Sequence, residues 1–237
     1  MATVAQAAER DQSFWQKMAI GIAVFILFGF GQFAARGFVD YANAPPLMHL
    51  HGLVMLGWLT ISVVQPFLVN RGDIALHRKL GWISLFWAAG VVIVGSSIGF
   101  FAIKAGIQPP FFTPPYFLAL TQVGLLVFAG TIAWAIAKRR DTAWHRRLMI
   151  GSSVLIMEPA LGRLLPMPLI MPWGEWAALA VQLGTLAIVV RHDRKTLGAV
   201  HPATLAAMLT VVAAHLLIEG LAILPAWQAL TARVIAG

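Results

Sequence analysis

Glu158, Arg163, His215 and Glu219 lie inside long apolar runs. A charged side chain at the centre of a bilayer costs about 2.5–3.5 kcal/mol on insertion scales, so such residues mark functional sites by default. His215 and Glu219 are four residues apart, which stacks them on one helical face. Glu158 is followed directly by Pro159, a residue that loosens the helical ladder and frees backbone carbonyls beside the carboxylate. His49 and His51 open another apolar run. Two residues apart on a helix, they point about 200° from one another, so only one faces the bundle interior. His51 begins a stripe of Met55, Trp58, Ser62 and Gln65 at steps of three and four, the spacing of an inward helical face. Gln122 is a further polar residue in an apolar run.

Three chemistries fit these residue types. The first is haem b, with His51 or His49 paired to His215 as axial ligands and Arg163 meeting a propionate. The second is a transition metal (zinc, copper or iron) on His49, His51, His215 and Glu219. Met48, Met55, Met167 and Met171 would suit copper(I), which prefers soft sulfur. The third is a proton or ion path through Glu158, Arg163 and Glu219, since buried Glu and His chains relay protons in pumps and transporters. Redox protein, ion- or proton-coupled transporter and accessory subunit without chemistry of its own all stay open at this point, as does whether the chain is an enzyme. A purely structural reading also stands, with Arg163 neutralising Glu158 or Glu219 and the methionines packing.

The elements that must position these residues are spanning helices. Of 237 residues 59% are hydrophobic and only 11% charged, against about 25% charged in soluble domains. The net charge of +8 falls in short clusters between apolar runs. That is the pattern of membrane-flanking loops and not of a nucleic-acid surface. With no cysteine, disulfides, thiolate metal sites and Cys nucleophiles are excluded. The N-terminal stretch lacks a small-residue cleavage site, so the first apolar run is expected to stay as a helix. At about 20 apolar residues per crossing the chain predicts a single all-α domain, residues 1–237, with seven transmembrane helices. They run from Met18 to Ala35, Leu47 to Val69, Leu80 to Ile103, Pro115 to Ala137, Leu148 to Leu165, Trp173 to Val190 and Pro202 to Leu224. The fifth is interrupted by Pro159, with Pro166, Pro168 and Pro172 close behind.

Lys and Arg concentrate after spans two, four and six, which places those loops in the cytoplasm, the N-terminus inside and the C-terminus outside. A bacterial inner membrane is the expected location, with lipids, and a quinone or other membrane proteins, as partners. Two of the basic loops repeat each other. Asp73-Ile-Ala-Leu-His77-Arg78-Lys79-Leu80 matches Asp141-Thr-Ala-Trp-His145-Arg146-Arg147-Leu148, and His192-Asp193-Arg194-Lys195 before His201-Pro202 is a weaker echo. One leading helix plus three hairpins is the economical architecture. In each elbow the Asp suits a helix cap, the basic residues suit lipid phosphates, and His77, His145 and His201 lie at one depth where a metal or haem propionates would reach them. Counted by depth, His51, Glu158, Arg163, His215 and Glu219 all fall in the middle-to-outer half.

The order His51-Gly52-x-x-Met55-x-x-Trp58, Gln65, His77-Arg78-x-Leu80-Gly81 resembles a recurring pattern in uncharacterised bacterial multi-span membrane proteins. Glu158-Pro159-Ala160-Leu161-Gly162-Arg163 and Val200-His201-Pro202-Ala203-Thr204-Leu205 look like further marks of it. The first segment is also similar to cytochrome b561-type cores, a resemblance that implies a haem ligand at His51. That family places paired histidines on four consecutive helices, whereas spans four and six hold none here, so the resemblance carries over one haem at most. Seven spans with an inside N-terminus also resemble zinc-dependent membrane hydrolases related to alkaline ceramidases, but His215-x-x-x-Glu219 stands where they have His-x-x-x-His. The scattered histidines do not supply the clusters of a di-iron hydroxylase, and span seven has no lysine for a retinal Schiff base.

Overall fold

The computed structural model describes residues 4–40 and 42–237, with side chains from residue 11 onward. Among them every regular element is a helix: α1 Val4–Ala35, α2 Pro46–Asn70, α3 Ile74–Lys104, α4 Pro114–Ala137, α5 Thr142–Leu155, α6 Glu158–Leu164, α7 Met167–Ile170, α8 Gly174–Leu197, α9 Pro202–Ile223 and α10 Pro225–Ala236. The starts follow local chemistry. Pro46, Pro114, Pro202 and Pro225 open their helices, where the missing N–H would have been unpaired anyway. Asp73 accepts from the Leu76 N–H, and Asp141 from those of Ala143 and Trp144. Gly198, at φ 76°, ends α8 in the left-handed conformation that glycine adopts without strain.

Six helices are long and apolar enough to cross a membrane: Asp11–Ala35 of α1, then α2, α3, α4, α8 and α9. Their outer faces carry Leu53, Phe86, Ile93, Leu126 and Leu209, each about two-thirds exposed or more. An apolar surface on every long helix is the surface of a multi-pass protein solvated by lipid. On α2 the alternation is clear: Leu50, Leu53, Leu56 and Phe67 face out, while His51, Met55, Trp58, Ser62 and Gln65 face in.

The fifth run departs from the expected single helix. α5 ends at Leu155, Ile156 and Met157 form a turn, and α6 starts at Glu158. Pro159 is the cause: it has no N–H for the Leu155 carbonyl, and its ring crowds that carbonyl. Pro166 and Pro168 then stop α6 and confine α7 to four residues.

The basic elbows gather at one end of the bundle. Asn70 Nδ2 donates to Gln16 Oε1 at 2.6 Å, Arg146 pairs with Asp11, and His192 Nε2 lies 2.7 Å from Asp11 Oδ1. α1 therefore touches all three elbows within residues 11–16. Small residues let the helices meet closely, as is usual where lipid offers no hydrophobic drive to association. A Cβ on Gly151 of α5 would come 2.8 Å from Ala207 Cβ of α9, and one on Gly29 of α1 would come 2.9 Å from Ala160 Cβ of α6.

Candidate functional site

The break in the fifth run, α8 and α9 bring four polar side chains into one chain of contacts, and α4 adds a fifth. Glu158 opens α6, where a carboxylate is favoured by the unpaired N–H groups of a helix start. Gln182 Nε2 donates to Glu158 Oε2 at 3.0 Å. Gln182 Oε1 lies 2.9 Å from His215 Nε2. On its other side, His215 Nδ1 lies 2.6 Å from Glu175 Oε1. That approach is out of line with the ring N–H and leaves both atoms without a well-aligned hydrogen-bond partner. Tyr116 OH closes the chain by donating to Glu175 Oε2 at 2.5 Å. Glu175, Gln182 and His215 are each at most 3% exposed, and Glu158 keeps 15% of its side chain accessible. Glu219, one turn beyond His215, is half-buried and close enough to feel the charges of Glu175 and His215.

With the Gln182 N–H given to Glu158, its oxygen faces His215, an arrangement that places a proton on His215 Nε2. Across the 2.6 Å approach to Glu175 Oε1, Nδ1 is then either the N–H of an imidazolium or the bare nitrogen of a neutral ring.

Other polar residues go elsewhere. Arg163 does not join the carboxylates: its guanidinium stacks 4.1 Å from the Phe30 ring and donates to the Pro159 carbonyl at 2.7 Å, against α1. His49 is exposed, and His51 is half-buried with Nδ1 lacking a hydrogen-bond partner. Gln122 holds Ser96 at 2.7 Å and ties α3 to α4. Gln65, with its amide oriented to satisfy both ends, donates to the His77 carbonyl and Nδ1 and accepts from Gly81 N and Ser84 Oγ.

The elbow residues are absorbed in structure. Asp73 and Asp141 are caps. His145 Nδ1 lies 2.8 Å from the Ala135 carbonyl, and His201 Nδ1 accepts from Ala203 N. Arg78 is exposed and Arg146 sits over the Trp15 ring at 4.7 Å. Burial and the charge of Arg147 hold the His201 ring below the usual histidine value. The weak third echo contains the most buried ion pair among the described residues: Asp193 pairs with Arg147 at 2.5 Å, both essentially unexposed.

Among the described residues no group of three or more His, Cys, Asp or Glu is arranged to hold a metal ion. His49, His51, His215 and Glu219 are thus not assembled as a ligand set. His215 Nε2 is held by Gln182 Oε1 at 2.9 Å, so a haem iron on that nitrogen would have to displace the amide.

Fold and site together define a multi-pass membrane protein with a buried carboxyl–amide–imidazole–carboxyl–phenol chain. No family model, curated protein or solved structure matches this sequence.

Proposed function

We propose that the protein is a proton-coupled membrane transporter in which Glu158, Gln182, His215, Glu175 and Tyr116, with Glu219 beside them, form the proton-holding site. The observation that carries this is the charge count. Three carboxyls surround one imidazole. Full ionisation would leave two net negative charges where lipid and protein cannot solvate them, at several kcal/mol each. Holding protons is the chemical way out, and groups that hold protons in a membrane interior are the ones that relay them.

In this reading α5 and α6 together make a seventh, discontinuous crossing. Arg147 near its start meets Asp193 at the basic end of α8, and Glu158, eleven residues on, meets Gln182 of the same helix, eleven residues back towards its start. Discontinuous helices with polar residues at the break are where secondary transporters place their substrate and ion sites. The three basic elbows face the cytoplasm by the positive-inside rule, so the site lies in the outer half of a bacterial inner membrane.

The test is infrared difference spectroscopy of the purified protein through a pH titration. Wild type is expected to show a protonated-carboxyl C=O signal that titrates, and Glu158→Gln to lose a distinct part of it. A Glu158→Gln titration superimposable on wild type refutes the assignment.

A further inference from the structure

We infer that Gln182 is the gate of this proton path: its amide separates two proton stores, and its displacement joins them. This rests on the proton-holding reading of the site. A carboxamide wedged between a carboxylate and an imidazole holds both by hydrogen bonds, 3.0 Å to Glu158 and 2.9 Å to His215, but it has no labile proton to pass on. On one side stands Glu158, with 15% of its side chain accessible. On the other stand His215, Glu175 and Tyr116, joined by contacts of 2.6 and 2.5 Å.

The same two groups that Gln182 separates nearly touch. His215 Nε2 lies 4.0 Å from Glu158 Oε2, so an approach of about 1 Å makes a direct hydrogen bond. With the amide between them each is held in place. With the amide turned aside, His215 Nε2–H faces Glu158 Oε2.

The step then balances simply. Imidazolium His215 gives its Nε2 proton to the Glu158 carboxylate: the N–H bond breaks, its electron pair stays on Nε2, and an O–H bond forms on Glu158. His215 remains neutral with its proton on Nδ1, facing Glu175 Oε1. Nothing is oxidised and no co-reactant is needed. A transporter needs this interruption, because a continuous wire leaks protons without moving substrate. Gln182 is a positioning residue here, acting through His215 and Glu158.

The test uses the full chain in liposomes with an internal pH dye, a potassium diffusion potential set by valinomycin, and no added substrate. Gln182→Ala is expected to raise passive proton flux about tenfold, the rate factor that corresponds to the net worth of one hydrogen bond. Gln182→Met, which keeps the volume but not the polar ends, is expected to do the same. Adding Glu158→Gln to either variant is expected to return flux to the wild-type level. Flux unchanged in both single variants, with helix content intact, overturns the gate. Flux that rises but survives Glu158→Gln shows a packing defect that bypasses Glu158 and also overturns it. Failure of the parent reading is seen separately, in the infrared titration of Glu158→Gln alone.

Discussion

Asp193→Ala should be the most destabilising polar substitution in the bundle. Asp193 Oδ1 accepts from Arg147 Nε at 3.1 Å and Nη2 at 2.5 Å. Its Oδ2 accepts from Thr204 Oγ1 at 2.5 Å and from the His201 N–H at 3.1 Å. Truncation leaves a guanidinium that is 1% exposed with the Ala143 carbonyl at 2.8 Å and the face of Trp15. Removing one partner of a buried pair costs about 3–5 kcal/mol, because the remaining charge is stranded. The pair itself is worth much less, since two desolvation penalties offset its attraction. The double variant Arg147→Met/Asp193→Leu should therefore recover to within about 1–2 kcal/mol of wild type. Reversible unfolding by SDS titration, followed by fluorescence of the nine tryptophans, measures both. A cost for Asp193→Ala below about 1 kcal/mol, the value of an exposed pair, would refute the claim that this elbow is dry.

Four further outcomes are expected. Tyr116→Phe keeps the stack on Phe112 but removes the donor to Glu175, at about 1.5–3 kcal/mol for a bond to a charged acceptor, and should alter the carboxyl infrared titration as Glu158→Gln does. Asp141→Ala removes two N–H contacts at the start of α5 and should cost about 0.5–2 kcal/mol in the same unfolding assay. Gly29→Val forces a side chain into Ala160 and should cost about 1–3 kcal/mol, read as a lower unfolding midpoint. His201 is held below its ordinary value by burial and then by Arg147, so the folded state binds fewer protons there than the unfolded one. Its contribution should be complete above about pH 6.5 and fall as pH drops through the lowered folded value; His201→Asn, which still caps α9, should flatten that slope.

The apolar runs fixed where helices form, and the proline and aspartate positions fixed where most of them start, because both effects act within one turn of the chain. Pro159, too, announces a break, within a run whose composition reads as one span through Leu165. The extent of the break depends on α1 and α8 holding α6, through Gly29 against Ala160 and Gln182 on Glu158. Glu158, His215 and Glu219 stood out as charges in lipid. Glu175 did not, because it falls in the first turn of α8 near Trp173 and Trp176, where an acidic residue suits the interface. Its spacing held the missed signal: Glu175, Gln182, Val189 and Asp193 recur on one face of α8, and all are buried.

The repeated elbow motifs show most plainly what local sequence leaves undecided. Lys79 and Arg147 occupy matching positions in the repeat, yet Lys79 is exposed and Arg147 is buried on Asp193. Likewise Arg163 looked like a partner for the carboxylates and stacks on Phe30 instead. Lipid as solvent dictates from composition alone that the chain is helical and where its charges are anomalous, since every backbone group must bond within its own segment. Which anomalous charges meet is a contact between segments dozens of residues apart, and only the packing of α4, α6, α8 and α9 decides it.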